Sequence, residues 1–388
     1  MKPKLFRVST VALSLNFLLK GQLAFLNASY EVVGISGADE HLDEVSSREG
    51  IKTIDVPMQR AISPLNDLIS LWRLYRLFVK EKPLIVHSIT PKAGLLSMIA
   101  AYFAGVPIRM HTFTGLIFPS KTGLLQRLLI MMDKVLCRFA THIYPEGAGV
   151  RQDMIKFHIT GKPLKVLANG NVNGIDTSSF RTDNFPVSYI SVLKESLSID
   201  ESNFVFIFVG RLVADKGINE LILAFKTLYA LNDKIRLLLV GSLESDMDPL
   251  SADTLSSIET HHGIISAGFQ NDVRPYFAIA DVLTFPSYRE GFPNVVIQAG
   301  AMELPAIVTD INGSNEIIEQ HKNGIIIPVK DEEQLYNAML KMIEDRSLYH
   351  KLKSNARLMI TSRYEQKLVW DTLLREYQLL ESEMLPRR

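Results

Sequence analysis

Two rhythms alternate along this chain: short apolar runs rich in β-branched residues, and longer segments in which apolar residues recur at helical spacing. Such alternation is the signature of βαβ units, a parallel sheet covered by helices on both faces. In the first half the runs predict strands at residues 5–10, 30–36, 51–57, 84–90, 108–114, 141–145 and 165–169. The clearest helix between them opens at Ser63-Pro64, where serine can cap and proline takes the first helical position, and extends to about Lys80. Residues 170–200 interrupt the rhythm with Asn-Gly-Asn, Asn-Gly and Asp-Asn-Phe-Pro clusters and predict a connector. The rhythm then restarts, with strands expected at 204–209, 235–240, 264–269, 282–286, 305–310 and 324–329, and only helix after about Asp331. Two series of βα units predict an α/β protein with two Rossmann-like, doubly wound parallel-sheet domains facing a central cleft. The expected divisions are residues 1–185, residues 186–365, and a last helix over 366–388 that packs back towards the first domain.

Length and composition narrow this picture. A chain of 388 residues exceeds the usual limit for a single hydrophobic core, which also favours two domains. The formal net charge is zero, with 42 basic and 42 acidic residues, so nothing points to nucleic acid. The distribution is uneven: residues 1–180 hold 21 basic and 13 acidic residues, and the remainder holds 21 and 29. The two halves therefore face different partners. The single cysteine, Cys137, excludes an intramolecular disulfide and fits a reducing compartment, and the scattered histidines give no zinc pattern. Lys2, Lys4 and Arg7 precede an apolar stretch at 11–19, as in a secretory signal, but Ser14, Asn16 and Lys20 interrupt it and no small-x-small site follows. The longest other apolar stretch, residues 93–106, is shorter than the roughly 20 residues of a membrane span, so a cytoplasmic location is expected.

The chemistry concentrates in the second half. A buried strand runs into Val209-Gly210-Arg211-Leu212, then Asp215-Lys216-Gly217, then a helix. A strand end, a glycine turn, two cations and a helix N-terminus together make an anion site. Arg211 can grip phosphate bidentately, and Lys216 offers a mobile point charge. The spacing alone also suits two solvated loop cations. A second strand end leads into Pro286-Ser287-Tyr288-Arg289-Glu290-Gly291-Phe292-Pro293-Asn294 and another helix. Here Gly291 admits close backbone approach, the amides near Phe292 to Val295 can bind oxygen atoms, and Glu290 can accept hydrogen bonds from hydroxyls. A carboxylate favouring the helix dipole explains Glu290 equally well.

These segments, with Gly268-Phe269 and Ala280-Asp281-Val282 between them in the same order, resemble the donor half of the retaining family-four glycosyltransferases of the GT-B fold. The resemblance covers nearly the whole chain. It implies that Gly210, Arg211, Lys216 and Phe269 hold a nucleotide diphosphate donor, a UDP-sugar first of all. It implies that Glu290 contacts the transferred hexose or N-acetylhexosamine, that Gly291 to Val295 belong to the donor-binding site, and that no metal cofactor is needed because the cations stabilise the leaving diphosphate. A covalent intermediate on Glu290 is the other route. One departure stands out: the family's second glutamate, which binds ribose, falls on Gln298. An amide still offers an acceptor and donors, at the loss of one charge-assisted bond worth about 1 kcal/mol. Asn315-Glu316 sits at a helix start, where relatives often carry a carboxylate near the donor, and a capping role fits as well.

In the first half the resemblance matches His111 to a histidine contacting the donor sugar, with His87 and Lys92 nearby on the acceptor side. Strand-end histidines also serve as buried hydrogen-bond bridges. The first βα turn lacks the family's paired glycines, and Lys20-Gly21 is the candidate substitute. Ile62-Ser63-Pro64, Thr90-Pro91-Lys92-Ala93-Gly94 and Asn173-Gly174-Ile175-Asp176 are similar to a subgroup that extends lipid-linked oligosaccharides for bacterial capsule or lipopolysaccharide. Arg73, Arg76 and Lys80 beside Trp72, Tyr75 and Phe78, and Arg127, Lys134 and Arg138 beside Leu128, Leu129 and Met132, form basic apolar helix faces that can rest on anionic lipid. An ordinary solvated face over a core has the same pattern. Two other classes share this outline: nucleotide-sugar 2-epimerases of similar fold, and non-catalytic subunits that bind a sugar nucleotide.

Overall fold

The computed structural model describes residues 2–59, 61, 63–244 and 248–384; Ile62 of the Ile62-Ser63-Pro64 motif lies outside them. The chain divides into two compact units, one made of residues 1–174 and 366–388, the other of residues 175–365. The boundary thus falls eleven positions before the expected residue 185, because residues 175–185 pack with the second unit.

Each unit is built on a six-stranded sheet whose strand pairs are parallel. The first contains β1 (Lys4–Val11), β2 (Glu31–Gly37), β3 (Lys52–Asp55), β4 (Ile85–Ser88), β5 (Ile108–Phe113) and β6 (His142–Pro145), in the order β3-β2-β1-β4-β5-β6. The second contains β7 (Phe204–Val209), β8 (Ile235–Val240), β9 (Ile264–Gly268), β10 (Val282–Phe285), β11 (Ala306–Thr309) and β12 (Gly324–Ile327), in the order β12-β11-β10-β7-β8-β9. Both orders reverse direction once, between β1 and β4 and between β7 and β10. In open α/β sheets this reversal opens a crevice beyond the carboxyl ends of the strands, the natural ligand position.

Residues 165–169, expected as a strand, form none; the edge beyond β6 carries only an isolated bridge between Ile143 and Leu164. Ala168 and Asn171 adopt left-handed backbone (φ 49° and 63°), which a ladder does not tolerate. In the central strands apolar residues cover both faces, as buried parallel sheets require: β7, Phe-Val-Phe-Ile-Phe-Val, is buried throughout. Period two also sorts β1, where Phe6 and Val8 join one cluster while Leu5 joins another on the opposite face. That second cluster is completed by the helix Gln366–Met384, which contributes Leu373, Tyr377 and Leu380. Buried Arg7 fixes it by donating to the Tyr377 hydroxyl at 2.6 Å.

Candidate active site

In the second unit the two loops that carry the sequence motifs leave adjacent strands at the β7/β10 reversal. After β7 the chain passes through Gly210 and Arg211 to a single 3₁₀ turn, Ala214–Lys216, and Gly217 then starts the helix Ile218–Tyr229. After β10, residues 286–293 lead into the helix Asn294–Ala301, which begins at Pro293 without a side-chain cap. In its first turn Val296 N donates to Pro293 O at 3.1 Å.

The loops meet through charge and through backbone. Lys216 Nζ forms a direct ion pair with Glu290 Oε1, and both side chains are largely enclosed, 15% and 18% exposed. Ser287 Oγ donates to the same Glu290 oxygen at 3.0 Å. Lys216 Nζ also stands 5.8 Å from the Phe285 ring centre, within cation–π range. Tyr288 N donates to Asp215 O at 2.9 Å, and Arg289 pairs with the Asp215 carboxylate at 2.9 Å. Gly217 has φ 71°, and a Cβ there would lie 2.2 Å from Pro286 O. On the other side of the second loop, Gly313 (φ 76°) packs so closely that a Cβ would come within 2.6 Å of Gly291 O. Only glycine allows backbone to buttress backbone at these two points.

Around this centre the remaining candidates are more open. Arg211 is half-exposed and pairs with Glu244 at 2.9 Å, so in this conformation the two expected cations hold different carboxylates. Phe269, just past the end of β9, is 68% exposed, an aromatic face turned to solvent. Phe292 is buried against the Tyr364 ring, at 5.6 Å between centres. Gln298 lies partly buried on the helix Asn294–Ala301, one strand over from β11. Glu316 accepts from Gly313 N at 3.2 Å and so caps the turn that supports Gly291. Ser287 and Asp215 carry no role that the motifs announce; Ser287 Oγ and Tyr288 N both donate to Asp215 O and so join the two loops, a pairing across 72 or more positions.

The first unit corrects three expectations. His111 lies in the core, 1% exposed, with Nδ1 2.8 Å from Ser88 Oγ, and its ring packs where a Cβ on Gly94 would come within 2.5 Å. An enclosed imidazole cannot touch a donor sugar. His87 is equally buried: Nδ1 lies 2.6 Å from the Tyr377 hydroxyl, and Nε2 lies 2.8 Å from Thr112 Oγ1. Lys92 is buried and paired with Asp67 at 2.7 Å, which ties the helix Pro64–Glu81 to the helix Pro91–Phe103 rather than offering a charge to an acceptor. Lys20 is exposed, next to Gly21, whose φ of 79° and close approach to the Trp370 ring leave no room for a side chain. Asn173 holds this turn by donating to Lys20 O at 3.0 Å while accepting from the Trp370 indole at 2.7 Å.

The buried histidines set an acid limit on stability. Burial pushes His111 down to about 3, and burial followed by the Arg7 charge holds His87 well below its ordinary value. The unfolded chain takes up protons on both as pH falls through about 6.5 while the folded chain does not, so stability drops with acidity at about 1.4 kcal/mol per pH unit for each group. Urea midpoints measured from pH 7.5 to 5 should fall steeply, and His111→Asn should reduce the slope by about one proton. A flat profile over that range would contradict the burial.

Comparison with known proteins agrees with the two-unit layout. Residues 23–170 match the glycosyl transferase 4-like domain, and residues 190–359 match the glycosyl transferases group 1. The chain is similar to the capsular polysaccharide biosynthesis glycosyltransferase CapM of Staphylococcus aureus, with 32% identity over 385 residues and 98% of each chain covered. It is 29% identical over 307 residues, 77% of each chain, to the UDP-Gal:alpha-D-GlcNAc-diphosphoundecaprenol alpha-1,3-galactosyltransferase of Escherichia coli. In fold it resembles HepE of Anabaena, solved in complex with UDP and glucose, with a TM-score of 0.81 at 18% identity over 97% of this chain and 100% of that one. A 32% identical match over nearly the full length of one relative, and matches to both halves, place the chain in the group 1, family-four-like glycosyltransferases of GT-B fold.

Proposed function

We propose that the chain transfers a hexose or N-acetylhexosamine from a UDP-sugar to a polyprenyl-diphosphate-linked glycan during synthesis of a bacterial surface polysaccharide, with retention at the anomeric carbon and without a metal. The observation that carries this reading is the Lys216–Glu290 pair, set with Ser287 at the β7/β10 reversal. It supplies a cation for a diphosphate and a carboxylate for sugar hydroxyls from two loops locked together. In the proposed reaction the donor diphosphate takes over Lys216 and draws Arg211 from Glu244. Negative charge growing on the departing phosphate oxygen is then met by fixed cations. The acceptor hydroxyl attacks the anomeric carbon from the face the diphosphate leaves, and its proton passes to that phosphate as the carbon–oxygen bond breaks. Glu290, released from Lys216, accepts from sugar hydroxyls. The amides of Gly291 to Val295 hold further oxygens, Gln298 binds the ribose, and the open Phe269 face covers the base.

The acceptor side of this reading draws on the first unit's surface and on the E. coli relative, whose acceptor is a diphosphoundecaprenol-linked sugar. Leu65, Leu68, Ile69, Trp72 and Val79 are exposed on the helix Pro64–Glu81 beside Arg73, Arg76 and Lys80, with Arg76 lying 4.8 Å over the Trp72 ring. Cations beside exposed apolar residues suit an anionic membrane surface, at about 1 kcal/mol per cation. Among the described residues no helix is long and apolar enough to cross a membrane, so attachment at the inner face would be peripheral. Incubating the purified chain with UDP-sugars, an undecaprenyl-diphosphate-linked sugar and EDTA should give a product with the donor's anomeric configuration. Loss of transfer in EDTA would refute metal independence, and conversion of donor without acceptor would indicate an epimerase instead.

A further inference from the structure

The proposed reaction parts Lys216 from Glu290, the direct charge contact between the loops after β7 and β10. The register of those loops then depends on contacts that a diphosphate does not consume. Some of these gather at Asp215, whose carbonyl accepts from Tyr288 N at 2.9 Å and whose carboxylate pairs with Arg289 at 2.9 Å. Arg289 is 56% exposed, and an ion pair so open to water fixes little. Another contact reaches deeper: the Tyr288 hydroxyl donates to Glu220 Oε1, and Glu220 is the third residue of the helix Ile218–Tyr229, four positions beyond Lys216.

That bond joins the second loop to the helix that follows Lys216 directly. A carboxylate in a first helical turn is favoured by the helix dipole, so Glu220 is held where Tyr288 meets it. Burial, followed by the bond to Glu220, holds the Tyr288 phenol above its ordinary value, and the hydroxyl stays a donor near neutrality. Lys330 Nζ lies 4.7 Å from the centre of the same ring, within cation–π range. Glu220 has little else to lean on: among the described residues its Oε2 is buried without a partner. Loss of the Tyr288 hydroxyl would strand both oxygens of that carboxylate.

We propose that Tyr288 is a positioning residue, whose bond to Glu220 keeps Lys216 and Glu290 in register after the donor diphosphate has parted them. The inference rests on the donor reading above and concerns the geometry of the liganded state. A flexible ammonium can meet a bound diphosphate from a range of positions. Charge on the departing oxygen grows at one place, and a misplacement of about 1 Å there can cost about a hundredfold in rate. The bond therefore weighs on turnover and hardly on affinity.

Variants of the full chain test it. Tyr288→Phe should bind UDP within about threefold of the wild type, keep the KM for the UDP-sugar, and lower kcat by about 10- to 100-fold. Glu220→Gln keeps an oxygen facing the hydroxyl and should retain at least about a third of kcat. The double variant Tyr288→Phe/Glu220→Leu removes both polar partners, so it should recover the thermal stability lost in Tyr288→Phe but not the turnover. Turnover that returns together with stability, a loss in Glu220→Gln as large as in Tyr288→Phe, or wild-type kcat in Tyr288→Phe overturns the proposal. Hydrogen exchange with and without UDP reads the loop itself and needs no acceptor. UDP should preserve or raise protection over residues 286–293 in the wild type and lower it in Tyr288→Phe; identical responses in the two chains overturn the proposal. A wild type that binds UDP but transfers no sugar would defeat the proposed reaction and leave the exchange result to decide the role of Tyr288, whereas a wild type that binds no UDP would defeat both.

Discussion

Lys216→Ala should lower kcat/KM by about a thousandfold or more and weaken UDP binding by at least about tenfold. Preorganised charges aimed at a developing oxyanion contribute roughly 10²–10³ in rate each, and cations on transferring phosphoryl groups reach higher still. In the structure that charge is already matched to Glu290, so the unliganded enzyme carries no isolated buried ion. In the proposed reaction donor binding exchanges one anion for another at Lys216, which ties diphosphate capture to release of the Glu290 carboxylate. Glu290→Gln separates the two events. With no competing carboxylate, UDP should bind as tightly as to the wild type or tighter, while kcat falls because the sugar loses its charged acceptor. Lys216→Arg should recover UDP affinity more than turnover, since a planar fork replaces a point charge. If the alanine variant turned over within tenfold of the wild type with unchanged UDP affinity, the pair would have no part in the reaction.

Gly217→Ala should be severely damaging to the second unit, costing about 3 kcal/mol of stability and most of the activity. Left-handed backbone costs an L-residue roughly 1–2 kcal/mol, and forcing an atom into a filled space typically adds 1–3. The obstacle is Pro286 O, at 2.2 Å from the added carbon, and a carbonyl at a strand end cannot swing aside as a long side chain would. Relief requires the two loops to part, which breaks the Tyr288–Asp215 backbone bond and carries Lys216 away from Glu290. Gly50→Ala is the matched control: its φ of 63° is similar, yet nothing lies within 4 Å of the new methyl. The difference between the two variants in urea unfolding isolates the loop contact. Equal losses would mean that the close approach has no energetic weight.

How far the chain could be read without coordinates depended on whether the deciding interaction was local. Strands such as Phe204–Val209 and the helix beginning at Pro64 announce themselves by apolar runs and by proline at the first turn, and they lie within one or two residues of expectation. The loops after β7 and β10 are likewise legible as strand–turn–helix connections, because glycines, cations and proline sit within a dozen positions. Residues 165–169 were not: their apolar composition suits a strand, but positive φ at Ala168 removes the ladder geometry. His111, His87 and Lys92 were misplaced for a different reason. Strand-end polar residues look alike in sequence whether they face a cleft or a core. Only the partners, Ser88, Tyr377 and Asp67, which lie 23 to 290 positions away, decide between the two. The Lys216–Glu290 pair spans 74 positions and was visible only as two unrelated candidates.

The return of residues 366–384 to the first sheet has a consequence for biosynthesis. Arg7 and His87 emerge from the ribosome early, yet the hydroxyl that satisfies them belongs to Tyr377, and the apolar face around them waits for Leu373 and Leu380. Residues 175–365 form a compact unit of their own and are synthesised before that helix appears. The first unit is thus begun before residues 175–365 and completed after them, and a nascent chain holds an open, partly polar crevice there until residues 366–384 have been made.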